Sequence, residues 1–101
     1  MTGIQFEWDE RKNRANLRKH GVAFEDAVQV FFDTLRLSFP DRIVDDEQRW
    51  HTIGRFEGIL LLLVVHTTWE EEDEEQPTEV IRIISARKVT PSERQAYEEY
   101  R

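Results

Sequence analysis

Cysteine is absent from the 101 residues, and this absence excludes two common ways of stabilising a small protein. Without thiols the chain has no disulfide bond and no thiolate zinc site. Its histidines, His20, His51 and His66, lack the HxxxH or HxH spacing that favours metal binding. The chain also lacks GxSxG, HExxH and a glycine-rich phosphate loop. We therefore expect no structural metal and no cofactor.

Long hydrophobic segments are also missing. The longest apolar run, Ile59 to Val65, is far shorter than the ~20 residues that cross a bilayer. The N-terminal residues MTGIQFEWDE have neither the basic nor the apolar part of a secretion signal. We therefore expect a cytoplasmic protein with no membrane contact, and its length fits one domain over residues 1–101.

An excess of positive charge, which is typical of nucleic-acid-binding proteins, is missing as well, since the formal net charge is −7. The excess of acid is local, because the block from Glu70 to Glu75 holds six of the 21 acidic residues. The rest of the chain has 15 acidic residues against 14 lysines and arginines. A local basic cleft is therefore compatible with the composition.

Local signals predict three helices. The first is capped by Asp9 and ends at His20, where basic residues suit the helix dipole and a glycine follows. Apolar residues at helical spacing predict the second helix over Phe24–Phe32. The capping box TPSE predicts the third, from Pro91 to about Tyr100.

Apolar and alternating segments predict the strands and the fold class. A short edge strand is expected at Ile4–Trp8, and a polar loop over Pro40–Asp46. The acidic block is expected to be a mobile loop, with strand pairing resuming only near Val80. The other predicted strands are Leu35–Phe39, Arg49–Phe56, the central Ile59–His66, which should be covered on both faces, and Val80–Ala86. This order predicts an α+β fold: two N-terminal helices, an antiparallel meander of three to four strands and a C-terminal helix.

Cationic side chains on or beside the predicted strands are the main candidates for function. Arg49 and His51 share one side of their strand, because side chains alternate along a strand. Arg82 interrupts an apolar strand, so it must pair with an acid such as Glu47 or Asp45, reach solvent, or line a cleft. The other cations are Arg87-Lys88, after the last strand, and Lys19-His20, where the helix dipole is an alternative reason for positive charge.

These cations suit phosphate recognition. RNA can be cut without a metal, because its own 2′-hydroxyl is the nucleophile. A base must take that proton, an acid must protonate the leaving 5′-oxygen, and fixed cations must stabilise the charge at phosphorus. Histidine, lysine, glutamate and arginine side chains can share these tasks.

Three motifs in a fixed order resemble those of the BrnT family. The first is FEWDERKNRANLRKHGVAFEDA, with its W-D, K-N and N-L-x-K-H-G-V elements. The second is EQRW followed by Ile53-Gly54, and the third is RIISARK followed by Glu93-Arg94 and Tyr97. Together they span nearly the whole chain. One segment, WEEEDEEQPTE, is a longer and more acidic hairpin loop than the family pattern.

The resemblance implies a RelE-like fold and a ribonuclease that inhibits translation. It also implies a ribbon-helix-helix antitoxin, similar to BrnA, that silences the toxin. Operator DNA would be bound only through the toxin–antitoxin complex. RNA, alone or on the ribosome, would be the substrate.

The resemblance and the cation pattern together give the candidate site residues. We expect the scissile phosphate to be surrounded by catalytic side chains from Lys19, His20, Glu47, Arg49, Arg82 and Arg87, with Glu47 as a candidate base. His51, Trp50 and Lys88 are expected to contact RNA. The alternative is a non-catalytic binding module, in which the same residues hold an antitoxin or a ribosomal surface.

Overall fold

A computed structural model describes residues 3–72 and 75–100 of the chain. Within them, five strands form one sheet in the order β1-β5-β4-β3-β2. The strands are β1 Gly3–Glu7, β2 Leu37–Val44, β3 Glu47–Phe56, β4 Leu60–Glu72 and β5 Pro77–Lys88. The helices are α1 Glu10–His20, α2 Phe24–Ala27, a 3₁₀ helix η1 at Val28–Phe32, and α3 Pro91–Glu99.

The sheet is mixed, because the predicted N-terminal edge strand joins the other four strands in parallel. The α+β class is confirmed, and β2, β3, β4 and β5 form an antiparallel meander of four strands. The first strand, β1, lies parallel to β5, with Phe6 opposite Ile81, while all the other pairs are antiparallel. The helices between β1 and β2 carry the chain to the opposite edge of the sheet. Local sequence signals do not encode this long-range pairing.

The predicted ends of α1 and α3 are confirmed by their caps. The Asp9 carboxylate accepts hydrogen bonds from the amides of Arg11 and Lys12, and Gly21 ends α1 with a φ of 72°. At α3, Thr90 and Glu93 form the complete capping box. Both helices are bounded by groups a few residues apart, and this explains why the sequence predicts them well.

The second predicted helix is not a continuous α-helix. One turn of α2 passes into η1, and Phe32 is exposed instead of buried. The segment is rich in β-branched and aromatic residues, which stabilise an α-helix poorly, so packing against the sheet decides its geometry. The contact is close at Gly54, where an added Cβ would lie 2.7 Å from the Val30 carbonyl oxygen.

Two strands extend into segments that were predicted as loops. β2 continues through Pro40 to Val44, because it lies at the sheet edge, where proline needs no partner, and a bulge follows Pro40. β4 and β5 pair as far as Glu72 and Pro77, so the prediction that pairing resumes only near Val80 is wrong. The acidic side chains at the end of β4, from Glu70 to Glu72, are exposed and need not pack on a core. Asp73 and Glu74, also part of the predicted loop, lie outside the described residues.

The two faces of the sheet carry separate hydrophobic cores. On the face covered by α1, α2 and η1, here the α1 face, the core includes Phe24, Ala27, Val30, Leu62, Val64 and Ile83. On the opposite face, here the α3 face, Tyr97 of α3 packs with Ile53, Leu61 and Leu63. The central strand β4 therefore contributes alternate residues to both cores, as the sequence predicted. Among the described residues, no helix is long and apolar enough to span a membrane.

Candidate functional site

A row of polar side chains crosses the α3 face beyond the part that α3 covers. In the β4–β5 register, Thr67 lies opposite Arg82. In the β3–β4 register His51 lies opposite Val65, which is on the α3 face. Residues two apart in a strand share a face, so Arg49 continues the row on β3. Since neighbouring strands lie about 4.8 Å apart, the backbones of Arg49 and Arg82 are roughly 10 Å apart. This arginine row, Arg49, Thr67 and Arg82, brings two predicted site residues together.

The two arginines of the row have no acidic partner among the described residues. The ion pairs found there join His51 to Asp41 and Arg87 to Glu93. Arg82 is exposed, although Glu7 of β1 stands opposite it in the register. The structural alternative for Arg82, a salt bridge with Glu47 or Asp45, is therefore not formed.

Two buried groups of the row lack hydrogen-bond partners. They are Nε of Arg49 and Oγ1 of Thr67, and the Thr67 residue is 1% exposed. Leaving a buried donor or acceptor unpaired costs about 1–3 kcal/mol, so such groups point to strain, bound water or a ligand site. The half-buried Arg49 and the exposed Arg82 on this face provide two guanidinium groups suited to a phosphate group, and the Thr67 hydroxyl lies buried between their strands.

His51 and Glu47 flank the row on the same strand. The His51 Nε2 lies 3.1 Å from an Asp41 carboxylate oxygen, and its ring packs edge-on against Phe39. Glu47 is exposed at the start of β3, two residues before Arg49. Strand alternation therefore places both side chains on the face of the arginine row.

Arg87 lies on the same face but is held by α3. Its guanidinium donates two hydrogen bonds of 2.8 Å to the Glu93 carboxylate. These bonds lower the pKa of Glu93 to about 2, and Glu93 in turn raises the pKa of Arg87. Glu93 also accepts from the Thr90 amide within the capping box. The Arg87 guanidinium is therefore engaged in an ion pair that attaches α3 to the sheet.

Lys19 and His20 stand beside β5, at the end of α1. They line a shallow cleft between α1 and β5 together with Ser85, which lies opposite Val65 on the α3 face. The end of α1 is fixed there by Asn16, whose side chain bonds both the amide and the carbonyl of Ala86. The end of α1 therefore holds Lys19 and His20 near Ser85 of β5.

Two predicted RNA-contacting residues lie on the other side of the sheet. Trp50 stands opposite His66 and faces the α1 side, and Lys88 stands opposite Leu62 on that side. Both residues directly follow an arginine of the α3 face in the sequence. Because side chains alternate along a strand, Trp50 and Lys88 point to the opposite face. The structure therefore does not bring Trp50 and Lys88 together with the arginine row.

The sequence reasoning missed two polar residues of β4. Thr67 belongs to the arginine row, and the buried His66 faces Trp50 on the α1 side. Their signal was the polar stretch His66-Thr67-Thr68, which directly follows the apolar run Ile59 to Val65. A polar group that continues a buried strand needs a partner or a ligand.

Comparisons with known proteins identify the family of this chain. Residues 8–93 match the family described as ribonuclease toxin, BrnT, of type II toxin-antitoxin systems. The crystal structure of the Brucella abortus ribonuclease toxin BrnT is similar, with a TM-score of 0.61 and 27% sequence identity over 88% of this chain and 99% of that chain. No curated protein matches the sequence. Because the family match covers most of its length, this chain belongs to the BrnT family of ribonuclease toxins of type II toxin–antitoxin systems.

Proposed function

We propose that this chain is a metal-independent endoribonuclease that binds RNA on the arginine row and inhibits translation by cutting it. Membership of a ribonuclease family indicates the type of reaction, which is cleavage of RNA. The observation that carries the placement is the pair Arg49 and Arg82, which share one sheet face without an acidic partner among the described residues. Free guanidinium groups at this spacing can hold the oxygens of one phosphate or of two neighbouring phosphates.

In the proposed reaction, the RNA 2′-hydroxyl attacks the adjacent phosphorus. The P–O5′ bond breaks, leaving a 2′,3′-cyclic phosphate on one fragment and a 5′-hydroxyl on the other. Glu47, on the same strand face as Arg49, and Lys19 and His20, at the end of α1, are the candidates for taking the 2′ proton and returning one to the 5′-oxygen. Arg49 and Arg82 stabilise the charge that develops on the phosphate oxygens. The chemistry therefore uses groups that the chain already presents.

The partners follow from membership of a type II family. We propose that a ribbon-helix-helix antitoxin, similar to BrnA, silences the toxin and that operator DNA is bound only through their complex. The substrate is cytoplasmic RNA, free or on the ribosome. The antitoxin would act most directly by covering the arginine row, because its unpaired cations favour an acidic partner as well as RNA.

The test is RNA cleavage by the purified chain and by two arginine variants. Arg82→Ala removes a cation from the row, and Arg14→Ala removes an exposed one from the middle of α1, where alanine favours the helix. We expect the first variant to lose about 10² in rate, roughly 3 kcal/mol, and the second to be unchanged. Arg82→Lys should recover only part of the rate, because lysine lacks the planar fork.

Product analysis and chelation complete the experiment. Fragments should end in 2′,3′-cyclic phosphate, and EDTA should not slow their formation. If the folded wild-type chain binds RNA but cuts none, it is a non-catalytic binding module. If Arg82→Ala folds and cuts at the wild-type rate, the arginine row is not the site.

A further inference from the structure

The α1 face contains a second cleft, separate from the arginine row. It encloses about 240 Å³ where the helices leave the sheet uncovered. Its apolar walls include Phe31 and Ile81, and Trp50 lies along one side. Its polar lining includes Arg36, Ser38, Glu79 and the buried pair Thr52 and His66. A mainly apolar cleft with a few convergent polar groups is typical of a small-molecule site.

A chain of hydrogen bonds leads from the interior of the sheet to this cleft. The His66 Nε2 lies 2.7 Å from the Thr52 hydroxyl, which lies 2.8 Å from the Ser38 hydroxyl at the exposed end. His66 is 6% exposed, and its Nδ1 has no hydrogen-bond partner. The imidazole tautomer therefore sets the polarity of the chain. With the proton on Nε2, Ser38 donates into the cleft, and with the proton on Nδ1, Ser38 accepts.

Glu79 supplies an acceptor on another side of the cleft. It stands directly opposite Glu70 on β4 and opposite Ile4 on β1. Like charges in facing positions are destabilising, and neither carboxylate forms an ion pair with the described residues. Glu79 is only partly exposed, so its carboxylate gains most from a ligand that brings hydrogen-bond donors into the cleft.

We propose that this cleft binds a guanine nucleotide, either free or as one residue of an RNA strand. Guanine has two adjacent N–H groups, N1–H and the 2-amino group, that match the two oxygens of the Glu79 carboxylate. Its flat ring can stack on Trp50, and its O6 can accept from Ser38. The cleft has room for a base, and the exposed Arg36 at its border is placed for the phosphate.

The edge of the base explains why guanine fits better than adenine. Adenine presents a ring nitrogen acceptor where guanine presents N1–H, and this lone pair would face the Glu79 carboxylate. The site also differs from the cleavage site, because it lies on the opposite face of the sheet from Arg82. The proposal therefore does not depend on whether the chain cuts RNA.

The experiment measures binding of GMP and AMP to the full-length chain by calorimetry. We expect GMP to bind at least tenfold more tightly than AMP. Glu79→Gln and Trp50→Leu should each weaken GMP binding by tenfold or more. The matched control is Glu71→Gln, an exposed acid of the same ribbon on the opposite face, which should leave GMP binding unchanged. Circular dichroism checks that each variant is folded.

A second binding measurement distinguishes a free guanine nucleotide from a guanosine within RNA. A 2′-O-methyl oligonucleotide with a single guanosine cannot be cut, so its affinity reports binding alone. If it binds more tightly than GMP and Trp50→Leu weakens it, RNA is the ligand, and if GMP binds more tightly, the free nucleotide is. If GMP fails to bind at millimolar concentration, or binds no better than AMP, the proposal is wrong. It is also wrong if neither cleft variant changes GMP affinity.

Discussion

His66 is a neutral base held inside the sheet. Its ring contacts Phe31 edge-on at 4.8 Å, and burial lowers its pKa to about 4 from an ordinary value of 6.5. Nearby His51 lowers this pKa further, and the Thr67 backbone acts in the opposite direction. Between pH 6.5 and about 4 the unfolded chain binds a proton that the folded chain does not. The stability contributed by neutral His66 is therefore complete above pH 6.5 and is lost as the pH falls toward 4.

This linkage predicts a pH-dependent difference between the wild type and His66→Gln. Glutamine retains a hydrogen bond to Thr52 but has no proton to gain. Lowering the pH from about 7 to about 4.5 should cost the wild type up to about 3 kcal/mol more stability than the variant, at 1.36 kcal/mol per pKa unit. The measurement is urea unfolding of both proteins at the two pH values. Equal losses would show that folding does not lower the pKa of His66.

The acidic ribbon of β4 and β5 shows what local sequence signals predict and what they do not. The caps at Asp9 and Thr90 lie beside the helices they begin, so α1 and α3 were predicted almost to the residue. A run of acids resembles a loop in sequence, but in the sheet Glu70 and Glu71 alternate between two exposed faces. The pairing that orders them comes from β5, and the parallel pairing of β1 comes from residues farther away in the sequence.

The same reasoning applies to the candidate site. Period-two alternation predicted that Arg49 and His51 share a side, and the structure agrees. Alternation alone does not say which face remains open, so Trp50 was grouped with them although it lies across the sheet. The place of Thr67 beside Arg82 depends on the β4–β5 register, which includes a bulge after Val65. A register of this kind depends on contacts over the whole hairpin.

Because Glu70 and Glu71 of β4 lie on opposite faces of the sheet, we expect them to affect RNA binding differently. Glu71 lies on the α3 face, four residues along β4 from Thr67, or about 14 Å at the usual rise. Glu70 lies on the opposite face. Glu71→Gln should tighten RNA binding two- to threefold at low salt, and Glu70→Gln should do so less, because the sheet lies between. The measurement is RNA affinity at low and high salt, where the gain should vanish as screening increases. A larger effect of Glu70→Gln would place the RNA on the α1 face.

At the scale of the whole molecule, one polar cluster connects the layers on the two sides of the sheet. Asp33 follows η1, and Tyr97 is buried in the core under α3. The Tyr97 hydroxyl donates to the Asp33 carboxylate at 2.7 Å and accepts from Arg55 Nε at 3.2 Å. Burial raises the pKa of Asp33, but hydrogen bonds from Tyr97, Leu35 and Arg55 outweigh it and hold this pKa below its usual value. The ionised carboxylate thus joins η1, β3 and α3.

Removing the Tyr97 hydroxyl should therefore weaken the whole fold. Tyr97→Phe keeps the buried ring but deletes a hydrogen bond to a charged acceptor, which predicts a loss of about 2 kcal/mol in the free energy of unfolding. The matched control is Tyr100→Phe, just beyond the same helix, where the side chain is exposed and the expected loss is below about 0.5 kcal/mol. Guanidinium unfolding, followed by tryptophan fluorescence and by circular dichroism, gives both values. The two probes should change together in Tyr97→Phe, because both cores share β4. If Tyr97→Phe loses no more stability than Tyr100→Phe, the Tyr97 hydroxyl does not stabilise the fold, and the prediction is wrong.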